Sequence, residues 1–247
     1  MSYLKQTLIL ISFCSCVFFL SACTSETIPS KSVAFFLLKD VTFSAGNENH
    51  SLDLSSDKLT RLFGLDSDPL VSAEYYQSLI TEVHINKEFS ASLPPANLDN
   101  FNKFKRKNKV KKFLSNIDMA IQDLQNVEFG RPKSSIFVPV AKTINKLAQT
   151  KANRQILVLQ SDLFENTFIL SKYDKSQMVK IENKPQSLEQ VLDKETPIHS
   201  RLDNMVIYII NQPKSNTDKD FFIISNIYKN WLESKGATVE IMANLNI

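Results

Sequence analysis

Apolar residues along this chain fall into two patterns. Some stretches are apolar at consecutive positions: Val33 to Leu38, Ile156 to Leu159 within Gln155 to Gln160, and Met205 to Ile210. Runs of that length suit strands buried on both faces of a sheet. Elsewhere the apolar residues recur every three or four positions. Phe113, Ile117, Ala120, Ile121 and Leu124 mark a helix over Phe101 to Leu124. Ile136, Val140, Ile144 and Leu147 mark a second over Ser135 to Thr150, with Pro139 in its opening turns. Further helices are expected over Ser55 to Phe63, Ser187 to Asp193 and Asp220 to Ser234, the last capped by Gly236. Tyr75 to Phe89 reads as extended, and Thr238 to Met242 as a last strand. Pro94-Pro95 marks a loop over Ser90 to Asn100, and Gly130 and Pro132 mark a turn over Glu128 to Lys133. Phe168 to Ile181 is expected to hold a hairpin. Buried strands alternating with helices predict one α/β domain, doubly wound, with a mostly parallel sheet flanked by helices.

A different apolar run stands at the start. Lys5 supplies a positive charge, and Leu8 to Leu20 is apolar except for Ser12 and Ser15. About 20 apolar residues are needed to cross a bilayer, and this run is shorter. A basic start, a short apolar core and small residues at its end form a secretory signal. Leu20-Ser21-Ala22-Cys23 resembles the lipobox of bacterial lipoproteins. The resemblance implies cleavage before Cys23 and acylation of that cysteine. Residues 1-22 are then signal peptide, 23-31 a lipidated tether and 32-247 the folded domain. The expected location is the bacterial cell envelope outside the cytoplasm, lipid-anchored to a membrane, the outer membrane in a Gram-negative cell.

Composition adds four limits. Hydrophobic residues make up 43% and charged residues 22% of the chain, enough for a full core. A net charge of +3 gives no ground for a nucleic-acid partner. Cys14, Cys16 and Cys23 are the three cysteines, so the mature domain has no disulfide or cysteine-based metal site to form. With four glycines the chain has little material for Gly-rich nucleotide loops.

Ligands of open α/β sheets bind beyond the carboxyl ends of the strands. Asp40-Val41-Thr42-Phe43-Ser44 follows the first strand, Ser161-Asp162 follows the Gln155 to Gln160 strand, and Ser134-Ser135 opens a helix. This set resembles the von Willebrand factor A domain with its metal-ion-dependent adhesion site. Asp40, Thr42 and Ser44 match its Asp-x-Ser/Thr-x-Ser motif. Ser134, with Ile136 and Ala141 behind it, stands where the family has threonine. Asp162 matches the aspartate after the fourth strand, although Leu163 replaces the usual glycine. The resemblance implies a Mg²⁺ site, with Mn²⁺ or Ca²⁺ as substitutes. Thr42 and Ser44 would ligate directly, Asp40 and Asp162 would hold coordinated waters, and Ser134 would bind directly or through water. An acidic side chain of a protein partner would complete the shell, with no bond made or broken, so the expected role is binding and not catalysis.

Other features carry less. Lys103, Lys105, Arg106, Lys107, Lys109, Lys111 and Lys112, with Phe101, Phe104 and Phe113 between them, read first as a solvated helix face and second as a lipid-facing one. His50, His84 and His199 lack metal-site spacing. Asp40-Val41-Thr42 resembles the nucleophile loop of haloacid dehalogenase-like phosphatases but lacks its second aspartate. Glu165 reads as a helix cap or a solvated residue, and Trp231 as core. The alternatives to metal-dependent protein binding are an assembly lipoprotein of an envelope, secretion or conjugation machine with a degenerate metal site, and a phosphohydrolase centred on Asp40 and Asp162.

Overall fold

The computed structural model describes residues 31–42, 52–81, 84–96, 100–127, 134–212 and 218–245. The signal peptide, Cys23, Ser44, His50 and the turn at 128–133 lie outside them. Six strands among the described residues form one sheet: β1 (Ser32–Asp40), β2 (Ser72–Thr81), β3 (His84–Leu93), β4 (Arg154–Gln160), β5 (Met205–Ile210) and β6 (Thr238–Met242). Their spatial order is β3-β2-β1-β4-β5-β6. All neighbours are parallel except β2 and β3, which pair antiparallel. The extended stretch around Tyr75 to Phe89 is thus two strands and not one. β3 continues to Leu93, and Pro94-Pro95, which have no N–H to offer a ladder, follow its end.

Among the described residues six helices cover the sheet: α1 (Ser56–Leu62), α2 (Lys103–Gln125), α3 (Phe137–Gln149), α4 (Lys175–Asn183), α5 (Gln186–Glu195) and α6 (Asp218–Ser234). Alternate residues of a strand point to opposite faces, so an apolar run must be covered twice. In β1, Ala34, Phe36 and Leu38 join one core with α3, α4, α5 and α6. Val33, Phe35 and Leu37 join the other with α1 and α2. Both cores lie within the compact unit Lys31–Ile247, which therefore carries the means of its own folding. This is the doubly wound α/β sheet that the sequence predicts. No described helix is long and apolar enough to cross a membrane.

The hairpin expected over Phe168 to Ile181 does not form. An isolated antiparallel bridge joins Asn166 to Ser171, and α4 follows. Asp174 starts that helix by accepting from the backbone N–H groups of Ser176 and Gln177. Met178 and Ile181, three residues apart, then share its buried side. Gly236 ends α6 as expected: its N–H donates to the Glu233 carbonyl and that of Ala237 to Leu232, the two bonds of a Schellman cap. Its φ of +102° is the left-handed turn such a cap needs.

Candidate functional site

β1 and β4 are adjacent, and their carboxyl ends meet where the strand order reverses. That crevice is the general ligand position of open α/β sheets. Asp40, the last residue of β1, is almost fully buried. Its Oδ1 accepts from the Thr42 backbone N–H at 2.9 Å, and its Oδ2 from the Ser161 hydroxyl at 2.8 Å. The first bond tightens the turn out of β1, and the second ties it to the end of β4. Thr42 is buried too, and its hydroxyl donates to Ser134 Oγ at 3.2 Å. Ser134 Oγ in turn donates to the Phe164 carbonyl at 2.6 Å.

The loop after β4 is built from two successive short turns. Ser161 Oγ accepts from Leu163 N–H, and Asp162 Oδ1 accepts from Phe164 N–H, each at 2.9 Å. Both are the local side-chain bonds that serine and aspartate favour in turns. Between them Leu163 adopts φ +60°, a left-handed conformation unusual for a residue with a β-carbon. This is the position where the resemblance expects glycine. Here the backbone takes the glycine conformation while the leucine side chain goes fully into the core.

Glu165 is completely buried and holds the start of α3. Its Oε2 accepts from Ile136 N–H at 2.6 Å and Phe137 N–H at 3.0 Å, and its Oε1 from the Thr167 hydroxyl at 2.7 Å. The helix cap expected of this residue is real, but the helix is α3, far away in sequence. Ser134 is thereby fixed on one side by Phe164 and on the other by the capped helix.

Electrostatics follow from this burial. Loss of water raises the Asp40 carboxyl above the usual carboxylate range, against the opposing pull of its bonds to Thr42 and Ser161. Glu165 is raised for the same reason, against its hydrogen bonds to Thr167, Phe137, Ile136 and Ser135. The buried Tyr228 hydroxyl, which has no hydrogen-bond partner among the described residues, is pushed well up by burial and by the charges of Glu165 and Asp40. Lys172 is lowered by burial and held up by the charges of Asp162 and Asp220. Its ammonium lies 3.5 Å from the centre of the Phe164 ring, a cation–π contact beside the site.

Of the five residues predicted from sequence, Asp40, Thr42, Ser134 and Asp162 therefore stand on the same two loops and helix start, and Ser44 lies outside the described residues. From sequence Ser161 is picked out as part of the Ser161-Asp162 pair but not as a ligand, and Lys172 and Tyr228 are not picked out at all. Ser161 had a signal, its place directly before Asp162. Lys172 and Tyr228 had none, because only the fold brings them here. Among the described residues no group of three or more histidine, cysteine or carboxylate side chains is placed to hold a metal. The oxygen set here has two carboxylates and neutral hydroxyls. All are hard donors that suit Mg²⁺ or Ca²⁺ and not a softer transition metal. Among the described residues Asp40 has no cationic side chain as a hydrogen-bond partner. The donor chemistry fits the ion.

No family model matches the chain, and no curated protein matches it either. Among solved structures the chain is similar to the D319A mutant of the PilB minor pilin from Streptococcus sanguinis. Identity is 10% and the TM-score 0.43. The match covers 90% of this chain and 59% of that one, so this chain spans well under two thirds of its length.

Proposed function

We propose that the chain is a lipid-anchored envelope protein whose von Willebrand A-like domain binds a protein partner through a divalent cation at the carboxyl end of β1 and β4. One observation carries the reading. Hydroxyl and carboxylate groups remote in sequence converge there, with Thr42 bonded to Ser134 and Asp40 to Ser161. In this reading Thr42, Ser44 and Ser134 offer hydroxyl oxygens, and Asp40 and Asp162 balance charge and orient water. A cation held there by so few charges would remain electrophilic enough to take a carboxylate from the partner. Exposed Phe168 and Tyr173, on the same loop as Asp162, offer apolar contact beside it. Large exposed aromatics of this kind are enriched in protein interfaces. The Leu20-Ser21-Ala22-Cys23 motif supports the anchor. More than one acyl chain makes such anchoring stable.

Millimolar Mg²⁺ is expected to raise the melting temperature, and Asp40→Ala to abolish the rise. No shift with Mg²⁺ or Mn²⁺ in the folded wild type would remove the metal from the proposal. The position of Lys172 favours one second reading, an assembly lipoprotein in which the lysine ammonium balances Asp162 without any metal. In that case partner capture survives EDTA and is lost in Lys172→Ala.

A further inference from the structure

The amino-terminal half of α2 is charged against its own stability. Lys103, Lys105, Lys107, Lys109, Lys111 and Lys112 are all exposed, and no acidic residue lies in the first turn. None of these six forms an ion pair among the described residues. Lys103 and Lys107, Lys105 and Lys109, and Lys107 and Lys111 are like charges four residues apart, which repel across a helix turn. Cations at a helix amino terminus also oppose its dipole. In the middle of the outward face stands Phe104, 73% exposed, with Lys107, Lys111 and Lys112 around it.

The fold places this face at one end of the domain. Arg106, the buried member of the run, donates to the carbonyls of Pro69, Val71 and Pro94. Val71 immediately precedes Ser72, whose N–H donates to the Lys31 carbonyl, where the chain enters β1. At its other end α2 reaches the candidate site, because Leu124 accepts from Lys39 Nζ, next to Asp40. The basic face and the entry from Cys23 thus share the amino edge of the sheet, and the candidate site occupies the opposite edge. Eight residues, Thr24 to Lys31, separate the cysteine from β1, at most about 28 Å when extended.

We infer that this lysine face with Phe104 at its centre docks on anionic phospholipid headgroups of the membrane that holds the anchor, turning the carboxyl-edge site outward. The inference rests on the anchor proposed above. Basic side chains gain from an anionic surface what they lose against one another, and an aromatic ring suits the interface between headgroups and acyl chains.

The unlipidated domain 31–247 is expected to sediment with vesicles containing phosphatidylglycerol and not with pure phosphatidylcholine, less so as salt rises. Combined Lys107→Gln, Lys111→Gln and Lys112→Gln should weaken that partition on the order of a hundredfold. The melting temperature should not fall, since the substitutions relieve repulsion. Phe104→Ser should weaken it further at constant charge. Should the triple variant not fold, Lys105→Gln with Lys109→Gln serves in its place. Equal sedimentation with both vesicles, unchanged binding by the folded lysine variants, or binding to duplex DNA without binding to phosphatidylglycerol would overturn the inference. Mass spectrometry of Cys23 in the mature chain reports on the anchor separately. An unlipidated cysteine with phosphatidylglycerol-dependent sedimentation removes the anchor and keeps the face. A lipidated cysteine without such sedimentation removes the face.

Discussion

Asp40 sits at the end of the central strand, almost out of reach of water, and burial lifts its pKa. A carboxyl whose pKa is raised by folding favours the protonated native state. That contribution is complete below the unfolded value of about 3.9 and is lost as pH climbs through the raised folded value. In EDTA, Asp40→Asn should therefore gain stability relative to wild type as pH rises from about 4 to neutrality. Mg²⁺ should narrow the gap by stabilising the wild-type carboxylate. Thermal melts across that range, with and without the ion, check both statements, and a gap independent of pH would contradict them. Leu163 offers a second test. Its left-handed backbone costs about 1–2 kcal/mol, while full burial of a leucine contributes about 1.5–3 kcal/mol. The two nearly cancel, which explains how leucine stands where glycine is expected. Ordinarily Ala is tolerated better than Gly; here Leu163→Gly should be more stable than Leu163→Ala by about 1 kcal/mol in urea unfolding.

At the scale of elements, the joints are made by buried charged groups bonded to backbone. Arg106 fastens the start of α2 to the entry of β2 and the exit of β3 through three carbonyls. Glu165 fastens the start of α3 to the loop after β4. Among the described residues neither forms an ion pair, and each satisfies backbone groups that folding would otherwise strand. Arg106→Ala leaves three carbonyls to find water and is expected to lose about 3 kcal/mol, measurable as a lower urea midpoint at unchanged slope. Arg106→Lys should recover only part of this, because one ammonium cannot reproduce the planar fork of the guanidinium. In sequence Arg106 was one cation among seven on an expected solvated face. Its helical position, in line with Phe113, Ile117 and Leu124, was the sign that it turns inward.

For the whole domain, the central position of β1 and β4 matters most. Their side chains enter both cores, so neither helical layer is independent of the other. The unit Lys31–Ile247 is expected to unfold by calorimetry in one transition, with equal calorimetric and van't Hoff enthalpies. Two separated transitions would mean that the layers are less coupled than the sheet implies. The opposed edges of that sheet also give the molecule a direction, with the chain entry at one end and the buried carboxylates at the other.

Sequence alone determined the α/β class, most of the strands and helices, and four of the residues that meet at the carboxyl edge. Those features rest on periodicity and on polar residues directly after apolar runs, both local properties of the chain. It missed the division of Tyr75 to Phe89 into two antiparallel strands and the helix α4, where short apolar runs suit either period. Tertiary structure decided that β1 lies beside β4, which brings Ser161 to Asp40 and Ser134 to Thr42. It also turned Glu165 onto a helix from another part of the chain, buried Tyr228 within the field of two carboxylates and set Lys172 within electrostatic reach of Asp162. Such pairings depend on which strands become neighbours, and strand order is chosen by how the two apolar layers close over the sheet, a property of the whole fold that no local stretch contains.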